Sequence, residues 1–250
     1  MRLAAGERGT VATVTVDNRK KLNTLNSVLM RDFVGQVEAL GGREDLRALV
    51  LTGAGEKAFI GGASIDEMAQ FDHVRAKEFI TLLHRCCACL RALPVPVIAR
   101  IDGYALGGGL EVAVSCDLRV ATSRAKFGMP EVKVGLPSVI EAALIPQLIG
   151  WGRTRELIYT GETIDAETAL RWGLVERVVP PDQLDGEVDK LVGSLLAAGP
   201  VAVRSQKRLM QQWEVLPTDR AIEAGIEALV RACDTDEPRR LMSAFLNRKR

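Results

Sequence analysis

The stretch Ile101-Asp102-Gly103-Tyr104-Ala105-Leu106-Gly107-Gly108-Gly109-Leu110-Glu111 joins the apolar run Val97-Ile98-Ala99 to the helical pattern Leu110, Ala113 and Val114. Nothing else in the chain constrains the fold as tightly. Glycines reach backbone angles closed to other residues, so neighbouring amide N–H groups can converge on one point where a helix N-terminus also favours negative charge. The pattern predicts a strand, a Gly-rich turn and a buried helix in succession, with a place at the turn for a developing oxyanion. Glu111 falls in the first turn of that helix, close to the amides.

A second carboxylate follows in Phe127-Gly128-Met129-Pro130-Glu131, after the strand-like Leu118-Arg119-Val120-Ala121. Two glutamates near one anion site fit acid/base chemistry. A helix-capping Glu111 and a solvated Glu131 fit the same spacing, which by itself does not separate the two readings.

Around these segments, strand and helix alternate. Val11-Ala12-Thr13-Val14-Thr15-Val16 reads as a strand. Asn26-Ser27 reads as the cap of a helix carrying Val28, Leu29, Phe33, Val34, Val37 and Leu40, and Ala48-Leu49-Val50-Leu51-Thr52 as the next strand. A helix over about 76–93 stops at Pro94 and Pro96, and strands at Val97 and Leu118 follow. Such alternation predicts an α/β fold with a largely parallel, helix-covered sheet. Past residue 140 the pattern turns helical, over 153–160, 166–172, 184–196, 201–213, 222–233 and 238–246, with only 174–179 as a short strand. The helices from Pro200 carry apolar faces such as Ile222, Ile226, Leu229 and Val230 with no sheet left to cover. They are expected to pack on a neighbouring region or subunit.

With 250 residues, 47% hydrophobic and 26% charged, the chain can bury one substantial core, or a core and a small appended domain. Its 33 basic and 32 acidic residues leave no global field to draw nucleic acid or a membrane, although Arg248-Lys249-Arg250 is locally basic and reads as a solvated tail. Apolar runs such as 95–99 are far shorter than the roughly 20 residues a bilayer requires. The N-terminus shows no basic-plus-apolar export pattern, so a cytoplasmic enzyme is expected. Five cysteines, three of them at Cys86, Cys87 and Cys89, lack metal-ligand spacing and read as reduced, packed thiols. The two histidines, His73 and His84, fall in a helical pattern poorly linked to the glycine turn and read as surface or core residues. This weighs against Ser-His-Asp and zinc chemistry.

Gly53-Ala54-Gly55-Glu56-Lys57-Ala58 follows a strand and matches the G-x-G-x-x-A form of a dinucleotide fingerprint. That fingerprint must open a helix, and Phe59-Ile60-Gly61-Gly62 argues against one. The sequence contains no Gly-Lys-Ser or Gly-Lys-Thr, hence no P-loop. Read as a loop, Lys57 to Asp66 offers a second set of main-chain amides and a second oxyanion donor, or else an ordinary Gly-rich connection.

These pieces, in this order, resemble the crotonase (enoyl-CoA hydratase/isomerase) family. The resemblance is carried by Asn18-Arg19-Lys20-Lys21-Leu22-Asn23-Thr24-Leu25-Asn26, by Lys57 through Ile65, by Gly103 through Glu111 with Cys116-Asp117, and by Met129-Pro130-Glu131. Thr160-Gly161-Glu162-Thr163-Ile164-Asp165-Ala166 with Trp172-Gly173-Leu174-Val175, and Ser243-Ala244-Phe245-Leu246, extend it over essentially the whole chain.

The resemblance implies a crotonase-like spiral of ββα or βαβ repeats over residues 1–199, holding the acyl-CoA site, and a C-terminal helical trimerisation region over 200–250. It implies a homotrimer, or a hexamer built as a dimer of trimers, acting on acyl-CoA thioesters such as those of fatty acid metabolism. By match to the family motifs, the N–H groups of Ala63 and Gly108 form the oxyanion hole, and Glu111 and Glu131 fall on the two catalytic glutamate positions of the hydratases. The expected reaction is addition of water across the 2,3 double bond of a 2-enoyl-CoA. In it Glu111 orients and activates the water while Glu131 exchanges the proton with Cα, or the two roles are exchanged, since the sequence does not fix which does which. No metal and no separate cofactor is expected, because coenzyme A is part of the thioester substrate. Lys20, Lys21 and Lys57 are candidates to meet the CoA phosphates. The backbone around Ser64 and Ile65 is expected by the adenine, and Gly107, Pro137 and Glu141 join the substrate-binding set.

Two departures from the family pattern stand out. Ser64 occupies a place where relatives usually carry Asp, which matters little if only the amide is used. Where hydratases commonly have a Gly-rich turn, this chain reads Pro137-Ser138-Val139-Ile140-Glu141, whose bulk can reshape the acyl pocket. Glu141 is either a third carboxylate near the site or an exposed helix residue. Hydration is favoured by having both glutamates; 3,2-enoyl-CoA isomerisation and a non-catalytic acyl-CoA-binding assembly are the alternatives.

Overall fold

The computed structural model describes residues 1–248, so Lys249 and Arg250 of the basic terminal run, and the side chain of Arg248, lie outside the described residues. In chain order, β1 (Arg2–Gly6) and β2 (Gly9–Val16) form a hairpin, followed by a 3₁₀ turn (Arg19–Lys21), α1 (Ser27–Gly41), β3 (Leu46–Gly53) and β4 (Ala58–Ile60). Then come α2 (Ile65–Met68), α3 (His73–Ala92), β5 (Val97–Ile101), β6 (Tyr104–Leu106) and α4 (Gly108–Val114). β7 (Leu118–Thr122) and β8 (Lys126–Gly128) lead through two 3₁₀ segments (Pro130–Val134 and Ile140–Leu144) to α5 (Ile145–Thr160). The remainder is β9 (Thr163–Asp165), α6 (Ala166–Trp172), β10 (Arg177–Val179), α7 (Leu184–Ala197), α8 (Pro200–Trp213), α9 (Thr218–Cys233) and α10 (Glu237–Arg248).

The strands sort into a six-stranded sheet, ordered β1-β2-β3-β5-β7-β10, and a four-stranded sheet, ordered β4-β6-β8-β9. Only the β1–β2 and β8–β9 pairs are antiparallel. Each of β3, β5 and β7 is followed at once by a short strand of the smaller sheet, which produces the expected ββα repeat. The central strand β3 is buried at every position from Leu46 to Leu51, as a strand covered on both faces must be. One face meets the main core, to which α1 gives Met30, Phe33 and Val37 and α3 gives Phe79, Leu83 and Leu90. The other face packs Val50, Ile98 and Val120 against Leu184 and Val188 of α7. α1 starts where its expected cap predicts, with Asn26 Oδ1 accepting from Leu29 N at 2.9 Å, whereas α3 starts at His73, ahead of the expected 76, because Asp72 Oδ1 caps it by accepting from Arg75 N at 2.8 Å.

The smaller sheet is what the sequence pattern hides. Tyr104–Leu106, expected to be part of the glycine turn, is β6, and β4, β8 and β9 are equally brief; three residues are too few for a period-2 pattern to register. The strand β1 escaped for another reason, being exposed at every position and so carrying no alternation of buried and exposed residues. Gly103 makes the bend from β5 into β6 at φ +70°, and a Cβ there would stand 2.1 Å from the Lys57 carbonyl oxygen. Only glycine fits.

The C-terminal helices leave a long apolar face uncovered, with Ile222, Ile226, Leu229 and Val230 between 58% and 70% exposed. Four of the five cysteines are free and buried as expected, whereas Cys233 is exposed near the end of α9. No helix among the described residues is long and apolar enough to cross a membrane.

Candidate active site

Parallel pairing of β4 with β6 sets their exits side by side, so Gly61-Gly62-Ala63 and Leu106-Gly107-Gly108 leave the sheet along the same edge. The loops touch through backbone. A Cβ on Gly62 would lie 3.2 Å from the Leu106 carbonyl oxygen, and one on Gly109 would lie 2.1 Å from that of Ile60. In the first loop, the bridge to Leu25 uses Leu25 N to Gly62 O and Ser64 N to Leu25 O, both at 2.8 Å, and so bypasses the Ala63 N–H. In the second, Gly108 is the first residue of α4, ahead of the first intrahelical bonds from Leu110 and Glu111 to the Gly107 carbonyl. Two main-chain donors are thereby left available on neighbouring loops.

Beside them is a cavity of about 200 Å³ lined by Gly61, Gly62, Ala63, Leu106, Gly107 and Glu131, with the apolar side chains of Ile65, Met68, Val134 and Leu136. Glu131 is half-buried in the 3₁₀ segment after Pro130 and accepts a hydrogen bond from Ser138 Oγ at 2.9 Å. Its carboxylate rests on Gly107, whose φ of +51° only glycine takes freely. A larger hollow of about 750 Å³ lies along β1 and α7, but its Arg100 is tied to Asp185 at 2.6 Å and it holds none of the residues above.

Glu111 sits behind this loop in α4, only 3% exposed and outside the cavity lining. Its Oε1 accepts from Ala142 N at 3.2 Å. Burial, then the charge of Glu131, and to a smaller degree that of Glu141, push its carboxyl up from 4.5 to about 8, against the pull of the Ala142 N–H. Burial also raises Glu131, countered by hydrogen bonds including the one from Ser138. The two carboxyls therefore compete for charge, and near neutral pH Glu111 holds a proton beside the Glu131 charge.

Glu141 is a buried third carboxylate, 7% exposed, with Oε1 2.7 Å from His84 Nδ1. The alternative of an exposed helix residue is set aside for Glu141, while His84 is exposed as expected and meets the site only through Glu141. The contact spans 57 residues of chain, and no local pattern announces it. Ser138 and Ala142, which hold the two glutamates, were equally invisible, since their roles come from the irregular path of 137–142.

Among the other expected contacts, Lys20 and Lys57 are exposed, while the exposed Lys21 ammonium pairs with Asp66 at 2.5 Å. Ser64 is buried at the start of α2, Ile65 lines the cavity at 64% exposure, and Pro137 is exposed outside the lining. Among the described residues, no cluster of three or more His, Cys, Asp or Glu side chains is arranged to hold a metal ion. The assembled pieces are two free amides, an apolar slot and two carboxyls with raised proton affinity. Such a set can polarise a carbonyl and move protons at adjacent carbons.

Comparison with known proteins gives the same direction. The profile of the family described as Enoyl-CoA hydratase/isomerase matches residues 6–250. The short-chain-enoyl-CoA hydratase of Clostridium acetobutylicum is 35% identical over 245 residues, covering 98% of this chain and 94% of that protein. The crotonyl-CoA hydratase of Syntrophomonas wolfei is 35% identical over 241 residues, covering 96% and 93%. Among solved structures, an enoyl-CoA hydratase from Bacillus anthracis superposes with a TM-score of 0.92 at 30% identity, over 95% of this chain and 93% of that one.

Proposed function

The chain belongs to the enoyl-CoA hydratase/isomerase family, and from that premise we propose that it adds water across the 2,3 double bond of a 2-enoyl-CoA thioester. The observation that carries this reading is the pair of carboxyls, Glu111 and Glu131, set about the loops that present the Ala63 and Gly108 amides. In the proposed reaction those amides grip the thioester oxygen. The water oxygen attacks Cβ, the π electrons move into the carbonyl as an enolate, and the enolate then takes a proton at Cα. Loss of one such donor typically costs about 3 kcal/mol of barrier.

Glu111 takes the proton from water and Glu131 delivers one to Cα. A carboxyl raised to about 8 holds its proton over much of the neutral range and, once ionised, is more basic than an ordinary carboxylate; the reacting form is the one in which the proton of the pair sits on Glu131 and Glu111 is charged. Glu131, on the cavity, is the one in reach of the substrate carbon. The mechanism asks for no metal or separate cofactor, since coenzyme A enters as part of the substrate. The exposed Lys20 and Lys57 are suited to the CoA phosphates, and Lys21 on release from Asp66, with the backbone at Ser64 and Ile65 beside the adenine.

The region from 200 onward is assigned to assembly as a homotrimer or a dimer of trimers, supported by the uncovered face at Ile222, Ile226, Leu229 and Val230. A cytoplasmic location is supported by the four buried free thiols. One observation favours a second reading, isomerisation of a 3-enoyl-CoA by a single carboxyl: Glu131 lines the cavity and Glu111 does not. Incubating the protein with a short trans-2-enoyl-CoA, and separately with a 3-enoyl-CoA, separates the two. Hydration removes the conjugated-thioester absorbance of the first; isomerisation creates it from the second.

A further inference from the structure

Behind Glu111 lies a second polar pair that this reaction leaves unused. Glu141 is 7% exposed in the 3₁₀ segment Ile140–Leu144, and its Oε1 meets His84 Nδ1 at 2.7 Å. Its other oxygen, Oε2, is buried and without a hydrogen-bond partner among the described residues. A buried carboxylate oxygen with no donor is an acceptor site left open. The next residue along the chain, Ala142, donates its N–H to Glu111 Oε1 at 3.2 Å, so the same turn holds both carboxyls. His84, on α3, connects this interior to water, because its side chain is 52% exposed.

We propose that Glu141 and His84 form a proton relay that carries to solvent the proton Glu111 takes from water. This inference rests on the hydration reading. In that reading each turnover leaves Glu111 protonated and Glu131 deprotonated, and both must be reset. Glu131 faces the cavity and regains its proton there. Glu111 is 3% exposed, and at the end of the step product fills the side from which the water came, so its proton leaves by another way.

The steps balance. The Glu111 carboxylic acid passes its proton to the open Oε2 of the Glu141 carboxylate, which no longer holds the imidazole proton on Nδ1; the exposed ring moves that proton through water to Nε2; the Glu141 carboxyl, turned about its Cγ–Cδ bond, gives its proton to Nδ1; and the imidazolium releases the Nε2 proton to water. Each transfer breaks one bond to hydrogen and forms one, and no electrons are transferred. The other titratable groups about Glu141 are Cys86 and Cys87 on α3 and Glu111 on α4, with Glu131 beyond it. Burial pushes both thiols well up, away from neutral pH, which leaves the relay to the carboxyls and the imidazole.

The test compares wild type, His84→Ala, His84→Gln and Glu141→Gln with a short 2-enoyl-CoA, with and without added imidazole. His84→Ala is expected to lose about 10-fold in kcat at nearly constant KM, less than the roughly 10²–10⁴-fold of a group that meets the reacting atoms. Imidazole should restore that loss in proportion to its concentration. His84→Gln keeps a hydrogen-bond partner for Glu141 without titrating and should fall as far as His84→Ala, whereas a mere tether would leave it at the wild-type rate. Glu141→Gln should fall without imidazole rescue. Wild-type kcat in both His84 variants, or a loss in His84→Ala that imidazole does not reverse, overturns the relay alone. Absence of hydration by the wild-type enzyme overturns the reaction, and the relay with it.

Discussion

The Glu131 carboxylate rests on the bare backbone of Gly107, so close that a Cβ at Gly107 would stand 2.3 Å from Oε1. At φ +51° that position is also strained for any L side chain. Gly107→Ala is therefore expected to fold while displacing Glu131 from the cavity, with kcat down by about 10²-fold or more, the scale of a lost acid/base group. Steady-state kinetics beside urea unfolding check this. A variant with the wild-type kcat contradicts the placement of Glu131.

Glu111 has a signature in stability. Its carboxyl is raised by folding from 4.5 to about 8, so the folded protein binds this proton more tightly than the unfolded chain does. The contribution is fully present below about pH 4.5 and is lost as pH rises through 8. Glu111→Gln carries no such penalty. Relative to wild type it should gain stability progressively between pH 4.5 and 8 and level off above, by on the order of a few kcal/mol in total. Urea unfolding of both proteins at pH 5 and pH 8.5 reads the difference; a gap unchanged between the two contradicts the raised carboxyl.

The apolar face of α9 supplies another prediction. Ile226 is 60% exposed and Leu229 70%, which leaves water against surface that assembly would cover. Replacing both by Asp should convert the assembled protein to monomers, as read by light scattering after size exclusion, while the helix content in circular dichroism holds. An oligomer of unchanged mass contradicts the assignment of this face to assembly.

What the sequence reveals is contiguous. The strands β2, β3, β5 and β7 are apolar enough, and α1 and α3 periodic enough, to be read from composition and caps. The glycines at 61, 62, 107, 108 and 109 signal two loops of approachable backbone, and the structure does set those loops against each other. The smaller sheet stayed hidden because its strands span three residues each. The contact between Glu141 and His84 stayed hidden because it depends on how the irregular segment 137–142 packs on α3, and a packing choice leaves no period in either segment. Ser138-Val139-Ile140-Glu141 marked an expected departure from the family pattern, but not that Glu141 is buried there and meets a histidine.

The most direct measurement of the central claim follows the oxygen atom. With a short trans-2-enoyl-CoA in H₂¹⁸O, the wild-type protein should yield a 3-hydroxyacyl-CoA carrying one ¹⁸O at C3 by mass spectrometry, and Glu131→Gln should yield it at least about 10²-fold more slowly. Recovery of unlabelled substrate or a 3-enoyl isomer from the wild type, or equal labelling rates in the two proteins, would contradict the account.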